Sequence, residues 1–143
     1  MFKKIFKKKE QEDAENKSTL IASLLIHAAK IDENYTEIEK DMIKKVIMQL
    51  NQINLNESEE LLKLAEKKEE ESNQIVEFTR EIKKYKMEFR LKIIEIIWKI
   101  VYSDDANDIY ESNLIRRICG LLYISDKDNG IIKTKVQNLK KKI

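Results

Sequence analysis

Proline is absent from the sequence, and glycine occurs only at Gly120 and Gly130. A dinucleotide-binding fingerprint requires three glycines at fixed spacing, and a phosphate-binding P-loop requires two before its lysine. Neither motif can be built from this chain. A sequence of 143 residues that is 42% hydrophobic and 38% charged, with so few turn residues, is typical of helices joined by short polar loops.

Cysteine occurs once, at Cys119. A single cysteine excludes an internal disulfide and any zinc site built from several cysteines. It favours a reducing compartment, and we interpret Cys119 as an inert, small apolar residue of a helix.

Neither sign of charge dominates, because the chain has 28 Lys and Arg residues and 26 Asp and Glu residues, which gives a net charge of +2. This balance does not require a nucleic-acid partner, and none is expected. The longest uncharged stretch, Ser18–Ala29, is too short to cross a bilayer. No apolar secretion signal opens the chain. We therefore predict a cytoplasmic protein.

The first residues, Met1–Lys9, combine five lysines with Phe2, Ile5 and Phe6 on one helical face. This pattern predicts a weak contact with an anionic membrane surface, which would place the protein peripherally at the inner face of the membrane. The alternative is a solvated chain terminus. Residues 1–17 are accordingly predicted to be a flexible basic and polar segment.

Residues 18–143 are predicted to form a compact, single-domain, all-α bundle of about seven helices, because apolar residues recur at three- and four-residue steps. We expect Ser18 or Thr19 to cap the first helix and Asn56 or Ser58 to cap the third. Leu64 is assigned to the inward stripe of the third helix, and the charge run 67–71 to a solvated helix end.

Met87–Tyr102 is the most apolar segment and should be the central helix, with Trp98 as its largest packing residue. Further assignments are a helix over 73–85, a structural role for His27, close packing at Gly120, and a last helix capped at Ser125.

One pattern occurs twice: an apolar helix, an acidic elbow and a second apolar helix. Asp32 and Glu39 in the first copy correspond to Asp104 and Glu111 in the second, at an offset of 72 residues. This correspondence predicts an internal helix–elbow–helix duplication. Thr36 to Glu39 has the form of a capping box, and Asp108 to Glu111 repeats it.

The elbow acids have two interpretations. Acids near a helix C-terminus are disfavoured by the helix dipole and need a compensating cation, and hard divalent ions such as Ca²⁺ or Mg²⁺ take carboxylate oxygens. The candidate metal ligands are Asp32, Glu39, Asp104 and Glu111. An EF-hand is excluded, because the twelfth loop position holds isoleucine in both copies instead of glutamate. Alternatively, the glutamates only cap helices and the aspartates close the turns.

These residues resemble the repeated motif of the tellurite-resistance TerB-like family, in which an apolar helix leads into Ala-Asp-Gly and a Glu follows seven residues after the Asp. Here the motif reads Ile31-Asp32-Glu33 with Glu39, and Ser103-Asp104-Asp105 with Glu111. The family's glycine is replaced by Glu33 and Asp105. The resemblance, over roughly residues 18–140, implies a small bacterial helical domain whose acidic residues are suspected of binding divalent metal.

These features are compatible with three functions. The first is a non-enzymatic TerB-like module that binds a divalent metal or a partner protein, within a stress-response or membrane-associated complex. The second is a purely structural protein-interaction scaffold without a metal site. The third, a carboxylate-based hydrolase, is disfavoured because nothing in the sequence marks an open coordination position or a dry cleft.

Overall fold

The computed structural model describes residues 17–32, 35–72, 74–103 and 109–141, with only the backbone for 32, 109–112 and 140–141. These residues form seven α-helices, joined by turns, and a single 3₁₀ turn, Lys30–Asp32. The helices are α1 (17–29), α2 (Glu37–Asn51), α3 (Leu55–Glu71), α4 (Val76–Ile82), α5 (Met87–Tyr102), α6 (Ile109–Leu121) and α7 (Asp126–Lys141). The predicted all-α fold is confirmed.

Helix α5 supplies the centre of the hydrophobic core. Seven of its residues are buried, at positions 93, 94, 97, 98, 100, 101 and 102. Apolar side chains of α1, α2, α3, α4, α6 and α7 join them in one continuous core. Among the described elements, α5 packs most extensively on α7, and α2 pairs with α3. The prediction of a central helix with Trp98 as a packing residue is therefore confirmed, and Trp98 is only 1% exposed.

Polar contacts fix α7 against α5. The Trp98 Nε1–H donates to Asn129 Oδ1 at 2.9 Å, and Gln137 Nε2 donates to the Tyr102 hydroxyl at 2.7 Å. The Trp98 and Tyr102 rings are stacked with their centroids 5.5 Å apart. Because a buried indole N–H needs an acceptor, the Asn129 contact lets Trp98 occupy the core without an unsatisfied donor.

Several predicted helix ends need correction. Ser18 and Thr19 lie inside α1 and are buried, so neither is its N-cap. Asn54 caps α3, because its side chain accepts from the Glu57 N–H at 2.8 Å and Glu57 reaches back to complete a capping box. The fourth helix is shorter than its predicted range, and covers only Val76–Ile82.

Helix α6 ends in a Schellman motif that has no glycine. Tyr123 adopts the left-handed conformation with φ 58°, and the Ile124 N–H donates to the Cys119 carbonyl at 2.8 Å. Arg90 Nη1 also donates to the Leu122 carbonyl at 2.7 Å, which joins this corner to α5. The prediction of close packing at Gly120 is wrong, because a Cβ at that position would meet nothing within 4 Å.

Candidate functional site at the acidic elbows

The first elbow connects α1 to α2. The 3₁₀ turn ends at Asp32, and residues 33 and 34 lie outside the described part of the chain. The backbone therefore places Asp32 at the C-terminal end of a helical segment, as predicted. Its side chain is not described, so a role as a metal ligand stays a prediction.

Thr36 and Glu39 form the predicted capping box. The Glu39 N–H donates to Thr36 Oγ1 at 3.1 Å, while the Thr36 N–H and hydroxyl each donate to Glu39 Oε1 at 2.9 Å. Glu39 is only 2% exposed. These bonds satisfy backbone donors that the start of a helix leaves without partners. Capping thus accounts for the position of Glu39, and binding of a cation by Oε1 would require it to give up these donors.

Five side chains bind the first elbow to α3, and we call them the elbow clamp: His27, Lys30, Tyr35, Glu66 and Glu69. His27 Nδ1 lies 3.2 Å from Glu69 Oε1, and Lys30 Nζ donates to Glu69 Oε2 at 2.9 Å. The Tyr35 hydroxyl donates to Glu66 Oε1 at 3.4 Å. The predicted structural role of His27 is consistent with this arrangement.

Tyr35 sits in a strongly polar environment within the clamp. The ammonium groups of Lys40 and Lys30 lie 4.9 and 5.8 Å from the centre of its ring. Burial first, and then the Glu66 carboxylate, raise the pKa of the Tyr35 hydroxyl well above its usual range. Tyr35 therefore stays neutral and acts as a hydrogen-bond donor.

The charge run 67–71 predicts a solvated helix end, and this prediction hides the elbow clamp. That assignment is wrong for Glu69, whose side chain is only 11% exposed. One signal was present: Leu62, Ala65 and Glu69 follow one another at three- and four-residue steps on the buried side of α3. A carboxylate that continues an apolar face predicts a cationic partner from another helix.

The second elbow lies mostly outside the described residues. Asp104, Asp105 and Asp108 fall in the gap after residue 103, and only the backbone of Glu111 is described. The second capping box, the metal ligands Asp104 and Glu111, and the internal duplication therefore stay predictions. Within the described ranges, no group of three or more His, Cys, Asp or Glu side chains is arranged to hold a metal ion.

Cys119 is buried in α6. Burial, with a smaller contribution from the charge of Asp126, raises the pKa of the thiol to about 12. The thiol is therefore protonated at neutral pH, as expected of a small apolar core residue.

The family model for tellurite resistance protein TerB matches residues 18–134. The chain belongs to the TerB family, and the resemblance seen in its elbow motifs is confirmed. Searches of curated proteins and of solved structures returned no significant match. In the part of the chain that the structure describes, no helix has the length and apolar character needed to span a membrane.

Replacing Thr36 with alanine should lower the free energy of unfolding by about 1 kcal/mol, because the side-chain bond to the Glu39 N–H is lost. Urea denaturation measures the change. Thr134→Ala is the control, since Thr134 is exposed and only bonds back to the Gly130 carbonyl of its own helix. That control should stay within about 0.5 kcal/mol of the wild type. Equal effects of the two substitutions would contradict the capping role.

The thiol of Cys119 should react slowly with a disulfide reagent in the folded protein. At pH 8, a pKa of about 12 leaves roughly one thiol in 10⁴ as thiolate, against about one in four for an unperturbed cysteine. Reaction should therefore accelerate by orders of magnitude in denaturant. Rapid labelling of the native protein at pH 8 would show that the thiol is accessible and ionised.

Proposed function

We propose that this TerB-family protein acts by binding a partner protein at the elbow end of the α2–α3 hairpin, and that it catalyses no reaction of its own. The observation that carries the proposal is a pair of exposed apolar side chains beside the elbow clamp. Ile38, in the first turn of α2, is 63% exposed, and Leu64, on α3, is 61% exposed. The prediction that Leu64 faces inward is wrong.

The pairing of α2 with α3 places both residues toward the same end of the hairpin. Lys44 of α2 lies 3.9 Å from Glu59 of α3, and Tyr35, just before α2, bonds to Glu66 further along α3. The two helices therefore run antiparallel, and Ile38 lies level with the turn of α3 that carries Leu64. Exposed apolar residues with a charged surround are typical of protein-interaction surfaces.

The elbow clamp supports binding because it connects residues before and after the elbow to α3. Glu69 binds both His27 and Lys30, and Glu66 binds Tyr35, so α3 fixes the chain immediately before Ile38. A surface that is already ordered loses less conformational entropy when a partner docks. Glu39 is engaged separately, in the capping box with Thr36.

We further propose that the two elbows bind a divalent cation, Ca²⁺ or Mg²⁺, through Asp32, Glu39, Asp104 and Glu111. The support is the repetition of the acids at matching positions in the two halves of the sequence, and the placement of Asp32 at the end of a helical turn, where the dipole disfavours an anion. Carboxylates are suitable ligands for such ions. The alternative is a structural interaction scaffold whose elbow acids only cap helices and close turns.

The setting we propose is a stress-response or membrane-associated complex in the cytoplasm. Its support is the family and the composition of Met1–Lys9, a segment that lies outside the described residues. A basic segment of this kind with three apolar side chains binds anionic lipid weakly on its own, so a partner protein would supply the rest of the affinity.

Photocrosslinking tests the partner surface. A benzoylphenylalanine introduced at position 38 or 64 should form a covalent adduct with one discrete protein in cells of the source organism. The same probe at position 139 is the control, because Leu139 is 47% exposed but lies on α7. Ile38→Asn should abolish the adduct formed at position 64. Adducts of the same pattern from all three positions would contradict a specific surface.

Thermal unfolding tests the cation. An ion present at about 100 times its dissociation constant adds about 2.7 kcal/mol, which raises the melting temperature of a domain of this size by roughly 5–10 °C. The rise should vanish in the double variant Asp32→Asn/Asp104→Asn. It should persist in the control Asp41→Asn, whose carboxylate is 62% exposed and pairs with Lys44. No rise with Ca²⁺, Mg²⁺, Mn²⁺ or Zn²⁺ would favour the metal-free scaffold.

A further inference from the structure

A pocket of about 250 Å³ lies where α5, α6 and α7 meet. We call it the Trp98 pocket, and its lining is Trp98, Arg116, Asp126, Asn129, Gly130 and Lys133. Its volume falls just below the range of roughly 300–1,000 Å³ found for sites of drug-sized ligands. The pocket therefore suits a small acid or a single side chain better than a large cofactor.

The charges of the pocket favour an anion. Lys133 Nζ lies 5.2 Å from the centre of the Trp98 ring, and Arg116 is exposed at the mouth. Neither cation forms an ion pair with any side chain in the described ranges. Two positive groups and the Asp126 carboxylate give the lining a net charge of +1. That charge matches an anion with one negative charge.

The floor of the pocket is rigid and carries an oriented donor. Trp98 is almost fully buried, and its Nε1–H holds Asn129 Oδ1 at 2.9 Å. Because the amide oxygen is used by the indole, the Asn129 NH₂ group remains as the hydrogen-bond donor at this side chain. An uncharged donor beside two cations complements the two oxygens of a carboxylate.

Gly130 lines the pocket without a side chain. It lies within α7 with no left-handed backbone requirement, and a Cβ built there would meet nothing within 4 Å. Alanine in the interior of a helix is favoured over glycine by about 1 kcal/mol. Neither backbone geometry nor packing accounts for glycine at this position, whereas a larger side chain would narrow the pocket that it lines.

We propose that the Trp98 pocket binds a single carboxylate group, with Arg116 and Lys133 as its charged contacts and the Asn129 amide as its donor. A guanidinium matches the geometry of a carboxylate in a bidentate pair. Asp126 disfavours more highly charged anions such as the phosphate dianion. The carboxylate belongs either to a free small acid or to an acidic side chain of a peptide. The site uses no residue of the Ile38–Leu64 surface, so the result of a test of one proposal does not decide the other.

The single tryptophan of the chain gives a direct readout. In a ¹⁵N-correlated NMR spectrum of the full chain, the one indole Nε1–H signal reports on the Trp98–Asn129 bond. At fixed ionic strength, acetate and the peptide acetyl-Gly-Glu-Gly-amide should each shift this signal saturably. The same peptide with glutamine in place of glutamate should not shift the indole signal, and phosphate should bind more weakly than acetate. A peptide that binds about tenfold tighter than acetate identifies a peptide as the source, and equal affinities identify a free acid.

Matched variants locate the binding. Arg116→Gln and Lys133→Gln should each weaken acetate binding about tenfold or more, as expected for loss of a charge-assisted bond. Arg117→Gln, the exposed neighbour on α6 outside the pocket lining, should bind as the wild type does. Gly130→Leu should block binding while the protein stays folded. The proposal is overturned if no carboxylate shifts the indole signal saturably, if phosphate or the glutamine peptide binds equally well, or if Arg116→Gln and Arg117→Gln behave alike.

Discussion

Burial of the C-terminal part of α5 is the constraint on which the other helices depend. A helix with seven buried residues, most of them isoleucine, must be enclosed by its neighbours. Such enclosure brings large side chains into the core, and Trp98 then requires an acceptor for its N–H. Asn129 supplies it from α7. Thus the burial of α5, through the Trp98–Asn129 bond, helps to set the position of α7. The Trp98 pocket lies between these helices and α6.

The first elbow is stabilised by a different kind of interaction. Here the chain is polar, and its backbone donors and charged side chains need partners instead of apolar contacts. The Thr36–Glu39 box satisfies the start of α2 locally. Glu66 and Glu69 supply the remaining partners from α3. The elbow is therefore ordered by hydrogen bonds and ion pairs at the edge of a core that it does not enter.

Local patterns predicted most of the helices, and the errors concern helix ends and interactions between distant segments. Helical periodicity and the Thr36–Glu39 spacing act within a few residues, so the helices α2, α5 and α7 and the first capping box could be predicted. At α3 the sequence predicts Asn56 or Ser58 as the N-cap, whereas the structure has Asn54 in that place. A glutamate lies three residues after both Asn54 and Asn56, so the spacing of a capping box does not distinguish them. Burial of Glu69 depends on His27 and Lys30, roughly 40 residues earlier. The spacing of Glu69 on the buried side of α3 indicates that it needs a cationic partner, but no local pattern identifies that partner. The exposure of Leu64 likewise follows from how α3 packs.

The elbow clamp also links the opening of the elbow to that of α3. It joins His27, Lys30 and Tyr35 to the C-terminal turns of α3, whereas the capping box joins Thr36 to α2. Protection of backbone amides against hydrogen exchange depends on the cooperative unit in which each amide unfolds. We therefore expect the turn Lys30–Asp32 to open together with the end of α3, and the buried centre of α5 to stay closed when that end frays.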